Sequence, residues 1–168
     1  HWIKSAIEDV WKHGLVAQDQ IPYRALDIGG GAGIFAYEFQ NTRWKPYVID
    51  PDKKSSFITT KLHIPLVQSY YRPKLFNRKF TLISLNYVLE HVVNPINFLK
   101  SVRRDMHQNS LLYIEVPDTL CFRFLSKNHD IFNACHLWMF SPDTLAALLA
   151  RCGFEIFTLS RIKAKRGH

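Results

Sequence analysis

Residues 27–33 read Asp-Ile-Gly-Gly-Gly-Ala-Gly and follow directly on a short apolar run. Four glycines at positions 29, 30, 31 and 33 suit neither a strand interior nor a helix interior. They suit a turn whose backbone takes positive φ and lets a ligand approach closely. Residues 24–28 are predicted as a buried strand, and Ile34, Phe35, Tyr37 and Phe39 as part of the helix that follows. A strand, a glycine turn and a helix in that order point to an α/β fold with a ligand lying across the turn. The turn alone does not choose the ligand, because Gly31-x-Gly33-x-x-Ala36 also fits the dinucleotide fingerprint. Asp27 stands two residues before the first glycine, and Asp50 lies at the tip of the second predicted strand. A carboxylate about 20 residues beyond the glycine turn can accept from both hydroxyls of a ribose, a group that NAD shares with other nucleoside cofactors.

Apolar runs alternate with helical patterns along the rest of the chain, with no internal repeat, low-complexity tract or linker, so one α/β unit is expected. Ile3, Ala6, Ile7, Val10 and Trp11 recur at helical spacing up to Gly14, which predicts a helix before the sheet. Further strands are predicted at residues 47–50, 64–68, 80–85, 111–116 and 154–159. Asn94-Pro95 is an N-cap and first-turn pair for a helix with Ile96, Leu99, Val102 and Met106 on its inner face. Ser141-Pro142 repeats the device for a helix carrying Leu145, Leu148, Leu149 and Cys152, with Gly153 as terminator. The 168 residues are 47% hydrophobic and 21% charged, enough to bury one core, and a single domain over 1–168 is expected.

Several function classes are disfavoured. No run reaches the roughly 18 apolar residues that a membrane span needs. The start, His1-Trp2-Ile3-Lys4, has neither an initiator Met nor a signal-peptide pattern. The expectation is a cytoplasmic chain without a membrane span, incomplete at both ends. Cys121, Cys135 and Cys152 are odd in number and form no C-x-x-C pair, which argues against a disulfide framework or a thiolate zinc site and predicts buried free thiols. A net charge of +8 admits an anionic partner. The basic residues are scattered over Lys74, Arg78, Lys79, Arg103, Arg104 and positions 161–166, the pattern of a solvated surface rather than of a nucleic-acid face.

Four segments together carry a resemblance: Asp27-x-Gly29-x-Gly31-x-Gly33; Val48-Ile49-Asp50-Pro51; Phe80-Thr81-Leu82-Ile83 leading to Val88-Leu89-Glu90-His91-Val92; and Leu112-Tyr113-Ile114-Glu115-Val116-Pro117. Over residues 24–160 the chain resembles class I S-adenosylmethionine-dependent methyltransferases, most nearly the small-molecule group that includes sugar C-methyltransferases and ubiquinone-pathway O-methyltransferases. The resemblance implies a Rossmann-like, doubly wound, mainly parallel sheet of about six to seven strands flanked by helices. Only residues 161–168 follow the sixth predicted strand, so the last strand is expected to be missing. By position, Asp27, Gly29, Gly30 and Gly31 would pass along the methionine part of S-adenosylmethionine. Asp50 and Pro51 would hold the ribose, Ser69 would lie near the adenine, and Asn86 and Tyr87 would sit near the transferred methyl. Three positions depart from the group's pattern: Thr81 stands where an acidic residue is usual, Gln68-Ser69 where a carboxylate often reads the adenine amino group, and Gln108-Asn109-Ser110 where a glycine-containing turn is usual.

The implied reaction is in-line displacement of a sulfonium methyl by an oxygen, nitrogen or carbon nucleophile of a small-molecule acceptor. The methyl is already activated, so the chain mainly positions the reactants and removes a proton. Glu90, His91 and His136 are the candidates for that proton, histidine because it titrates near neutral pH. His136 lies in Cys135-His136-Leu137-Trp138-Met139-Phe140, either a lid over the substrate or a plain hydrophobic loop. In small-RNA 2′-O-methyltransferases and ubiquinone-pathway enzymes a Glu-His pair and a later His form a divalent-metal site, and Glu90, His91 and His136 match three of its positions. Tyr87 stands at the fourth, and a neutral phenol is a poor ligand for a hard cation, so a metal-free pocket is expected. Two rival readings stay open: an NAD-dependent Rossmann enzyme, and a non-catalytic methyltransferase-like module that binds a protein or RNA.

Overall fold

The computed structural model describes residue 7 and residues 23–40, 42–126, 129, 132 and 135–162. Five strands form one sheet in the order β3-β2-β1-β4-β5: β1 Tyr23–Ile28, β2 Trp44–Ile49, β3 Leu66–Val67, β4 Phe80–Asn86 and β5 Met106–Glu115. Every pairing is parallel. The chain builds outward from β1 through β2 to β3, then returns to the other side of β1 for β4 and β5. The direction therefore reverses between β1 and β4, and the carboxyl ends of those two strands frame the crevice where open α/β sheets bind ligands.

Burial on both faces explains why the strands read as nearly continuous apolar runs. In β1 alone, Leu26 and Ile28 join the larger core with Ile49, Ile83, Leu85 and Leu99, while Tyr23 and Ala25 join a second cluster with Phe39, Trp44 and Leu82. Ile7, the one described residue of the predicted N-terminal helix, is helical and buried in that second cluster. The rest of that helix lies outside the described residues.

Four α-helices are described: α1 Ile34–Tyr37, α2 Ser55–Leu62, α3 Pro95–Arg104 and α4 Pro142–Arg151. Both predicted caps form. The Asn94 side chain accepts from the Asn97 N–H, and Ser141 and Thr144 form a reciprocal capping box. Helix α4 ends at Cys152 and Gly153, whose φ of +80° reverses the chain. The helix after the glycine turn is a single α-helical turn. It buries Ala36, with Phe39 just beyond it, and exposes Ile34 and Tyr37, two of its four predicted apolar positions.

Two predicted elements are corrected. Residues 108–110 are not a turn before β5 but lie within it. Met106 pairs with Phe80 and Leu111 with Leu82, so the extra residues are taken up as a bulge. Ser110 clamps that bulge, its Oγ donating to the Phe80 carbonyl at 2.8 Å and accepting from the His107 N–H at 3.0 Å. Met106 therefore belongs to β5 rather than to the inner face of α3. Residues 154–159 are not a strand: they pair with no described strand, and residues 155–159 are exposed. An extended segment becomes a strand only when a neighbour satisfies its backbone. The thiols also differ from expectation, since Cys152 is buried but Cys121 and Cys135 are exposed.

Candidate functional site

The glycine turn leaves β1 with φ of +70° at Gly29, +48° at Gly31 and +73° at Gly33, a path that non-glycine residues follow only with strain. The glycines have different reasons to be small. A Cβ on Gly30 would lie 2.7 Å from Asp27 Oδ2 and 2.8 Å from Val48 Cγ1, so this residue is held by packing. A Cβ on Gly31 would meet nothing within 4 Å. Gly31 is small toward open space, at the edge of a cleft of about 370 Å³ that it lines with Asp27, Gly29, Phe35, Asn86 and Glu115.

Two buried aspartates brace the turn. Asp50, just past β2, accepts from the Gly31 N–H at 2.8 Å through Oδ2, and from the Asp52 N–H at 2.8 Å and the Ser55 hydroxyl at 3.0 Å through Oδ1. Asp27, in β1, accepts from the Ser84 hydroxyl at 2.6 Å and from Asn86 Nδ2 at 3.2 Å. Burial pushes the Asp27 carboxyl up to about 6, although the bonds from Ser84 and Asn86 pull the other way. Asn86 turns its amide nitrogen toward Asp27 and leaves its buried Oδ1 without a partner. A carboxylate and an unpaired amide oxygen thus stand together at the cleft wall, ready to accept hydrogen bonds from a donor.

The lining also includes Glu38 and Glu115, and no Lys or Arg. Burial raises the Glu115 carboxyl, against a hydrogen bond from Tyr113. Tyr113 in turn stacks on Phe35 at 5.6 Å between ring centroids. In a chain of net charge +8 the cleft is therefore acidic. Glu115 had no role assigned from the sequence. Its place at the carboxyl end of a strand beside the switch point was the available signal.

Of the other predicted cofactor residues, Pro51 is exposed beside Asp50 and Ser69 is half-buried just beyond β3, its Oγ donating to the Tyr70 carbonyl at 3.1 Å. Tyr87 follows β4 with φ of +54°, exposed, its N–H donating to the Glu115 carbonyl at 2.9 Å. Asp50, Pro51, Ser69 and Tyr87 stand outside the residues that line the cleft. Thr81, the departure at the start of β4, is buried, and its Oγ1 accepts from the Arg24 N–H at 3.4 Å.

Beyond Asn86 the chain makes a 3-10 turn, Leu89–His91, onto which residues 135–140 fold back. The N–H groups of Leu137 and Trp138 donate to the Glu90 carbonyl at 2.9 and 3.1 Å, and Trp138 Nε1 donates to the Val92 carbonyl at 2.8 Å. The segment is a strap tied down by its backbone, with Leu137, Trp138 and Met139 exposed on it. It brings together all three predicted proton-handling residues. The rings of His91 and His136 lie 4.8 Å apart, and Glu90 is buried beneath with its carboxyl raised by desolvation.

A five-stranded parallel sheet whose glycine turn opens at the switch point is a Rossmann-like α/β fold of the methyltransferase type. The family described as "Methyltransferase domain" matches residues 5–159, and the chain belongs to it. No curated protein matches the chain. Among solved structures it is similar to an S-adenosylmethionine-dependent methyltransferase of Thermotoga maritima described as a possible histamine N-methyltransferase, at 22% identity and a TM-score of 0.64, covering 79% of this chain and 64% of that one. It is also similar to the plantazolicin methyltransferase BpumL in complex with SAH, at 18% identity and a TM-score of 0.67 over 83% and 58% of the two chains. A third is YcgJ of Bacillus subtilis, at 19% identity and a TM-score of 0.64 over 81% and 63%. The chain thus spans 58–64% of the length of these neighbours. Among the described residues no helix is long and apolar enough to cross a membrane.

Proposed function

We propose that the chain binds S-adenosylmethionine across the glycine turn and transfers its methyl group to a small-molecule acceptor. The observation that carries this reading is the acidic cleft at the switch point, where Asp27 and the unpaired Asn86 Oδ1 face the space that Gly31 leaves open. These acceptors fit the ammonium and sulfonium of the methionine part. They also weigh against a dinucleotide, because a pyrophosphate laid along the turn would face Asp27, Glu38 and Glu115 with no cationic side chain in the lining. The neighbours' descriptions, one a possible histamine N-methyltransferase and one a plantazolicin methyltransferase, support a small-molecule or peptide acceptor.

S-adenosylmethionine supplies an activated methyl, and the residues of this chain do the rest by holding and orienting. The glycine turn gives backbone contact, and Asp27 with Asn86 receives the methionine end. Asp50 keeps one lone pair, on Oδ2, for a ribose hydroxyl while it fixes Gly31. Pro51 and Ser69 flank the ribose and adenine, and Tyr87 stands at the methyl end. The proton of the acceptor leaves toward Glu90, His91 and His136.

Parallel calorimetric titrations with S-adenosylmethionine and NADH test the reading. Binding of the first and not the second is expected, and the reverse result refutes it. Loss of the methyl group from the cofactor in the presence of pooled amines and hydroxyl compounds separates an enzyme from a non-catalytic module, which would bind without turnover.

A further inference from the structure

The acidic cleft lies at the carboxyl ends of the strands, and a group of cations gathers at their amino ends. Arg24 is the second residue of β1 and pairs in register with Lys45 of β2. On the other side of β1 its N–H donates to Thr81 Oγ1, two residues after Lys79. Strands β4 and β5 pair at Phe80 and Met106, which puts Lys79 and His107 at the same edge. Burial pushes the His107 imidazole pKa down, and the charges of Lys79 and Arg24 push it further. Among the described residues no carboxylate forms an ion pair with Arg24, Lys45, Lys79 or His107. Asp105, just before β5, is buried and accepts from the Tyr71 hydroxyl at 2.6 Å. Arg24 is half-buried, and its Nε is shielded from water without a hydrogen-bond partner. An unpaired buried donor and cations that repel one another across neighbouring strands both raise the energy of the ligand-free chain. An anion at this edge relieves both.

We propose that Arg24, Lys45 and Lys79, with His107 beside them, bind a phosphate-class oxyanion at the amino edge of the sheet. The Arg24 guanidinium offers Nε and one Nη as parallel donors matched to two oxygens of a tetrahedral oxyanion, and it turns outward to meet them. The two exposed lysines add point charges from either side. A phosphate dianion suits three cations better than a carboxylate, whose single charge would leave two of them unneutralised. Lys45, Arg24 and Lys79 stand at the starts of three neighbouring strands spaced about 4.8 Å apart, the footprint of one phosphate group rather than of a nucleic-acid backbone. At about 3.3 Å per residue Arg24 lies roughly 13 Å from the end of β1 at Ile28, so the site is separate from the cofactor crevice and does not depend on what that crevice binds. Inorganic phosphate and a phosphate monoester carry the same dianion.

Thermal unfolding of the full chain in phosphate, against chloride at matched ionic strength, reads the site without any cofactor or methyl transfer. Phosphate at ten times its dissociation constant should favour the folded state about elevenfold, a rise of a few degrees in midpoint that chloride does not give. Arg24→Gln and Lys79→Gln should each lose most of that rise, whereas Lys100→Gln, at an exposed cation on α3, should keep it. The midpoint without phosphate reports whether each variant is folded. In proton NMR the His107 resonance, identified by its absence in His107→Gln, should titrate at higher pH with phosphate bound, because the anion offsets Lys79 and Arg24. Parallel titrations with methyl phosphate separate the two sources, the tighter ligand being the one the site fits. A wild type that phosphate stabilises no more than chloride, or a rise that survives both Arg24→Gln and Lys79→Gln, overturns the proposal.

Discussion

Gly31→Ala separates what the glycine turn does for the fold from what it does for a ligand. At φ of +48° an alanine pays the left-handed penalty, about 1 to 2 kcal/mol. It pays no packing penalty, because its Cβ meets nothing within 4 Å. Stability should therefore fall by that amount alone, a shift of roughly 2 to 8 °C in a domain of this size. A bound cofactor lying along the turn would meet the new methyl directly. Overpacking costs of about 1 to 3 kcal/mol correspond to a loss of affinity of roughly 5- to 150-fold. Gly30→Ala is the contrasting case. Its φ is unstrained, but its methyl would stand 2.7 to 2.8 Å from the buried Asp27 and Val48 side chains, so the damage should fall on stability first. Thermal unfolding without ligand, with calorimetric titration of S-adenosylhomocysteine into both variants, gives the two numbers for each. A Gly31→Ala chain that unfolds as expected and binds like the wild type would show that the ligand does not lie along the turn.

Asp50→Ala removes the acceptor of three hydrogen bonds, to Gly31, Asp52 and Ser55, so it should cost about 3 kcal/mol of stability as well as ten- to a hundredfold in cofactor affinity. Denaturant titration and calorimetry measure both, and unchanged affinity in a folded variant removes Asp50 from the ribose. The Asp27 carboxyl titrates at about 6 when folded and near 3.8 when unfolded, so between those values the folded state holds the extra proton. Stability without ligand should therefore fall as pH rises from about 4 to 6, by about 3 kcal/mol in all, and stay at the lower level above. Asp27→Asn should flatten that slope in urea titrations run across the pH range. Affinity for S-adenosylmethionine should move the other way, rising with pH up to about 6 because the cation selects the ionised carboxylate, and pH-independent binding would detach Asp27 from the ligand.

What the sequence revealed of this fold is what local chemistry determines. The glycine turn needs positive φ, the caps at Asn94 and Ser141 need a short polar acceptor before proline, and the central strands need apolar residues on both faces. Each signal sits within a few consecutive residues, and each proved right. The failures lie where a residue's state depends on a partner far along the chain. Residues 154–159 look like a strand but find no described neighbour to pair with. Asn109 looks like a turn residue, yet Ser110 bonds back to Phe80, 30 residues away, and keeps the strand going through a bulge. The site divides in the same way. Asp27 and the glycines could be read from their spacing, but the acidity of the cleft depends on Glu38 and Glu115, which only the sheet order brings to the same wall. His136 is the sharpest case, since nothing in its own segment says that its ring will lie 4.8 Å from that of His91. The strap that folds onto the Leu89–His91 turn achieves that meeting through backbone hydrogen bonds to Glu90, which any sequence of residues other than proline could make. The contact that brings His91 and His136 together therefore leaves no mark in side-chain identity, and only the two histidines themselves are visible in the sequence.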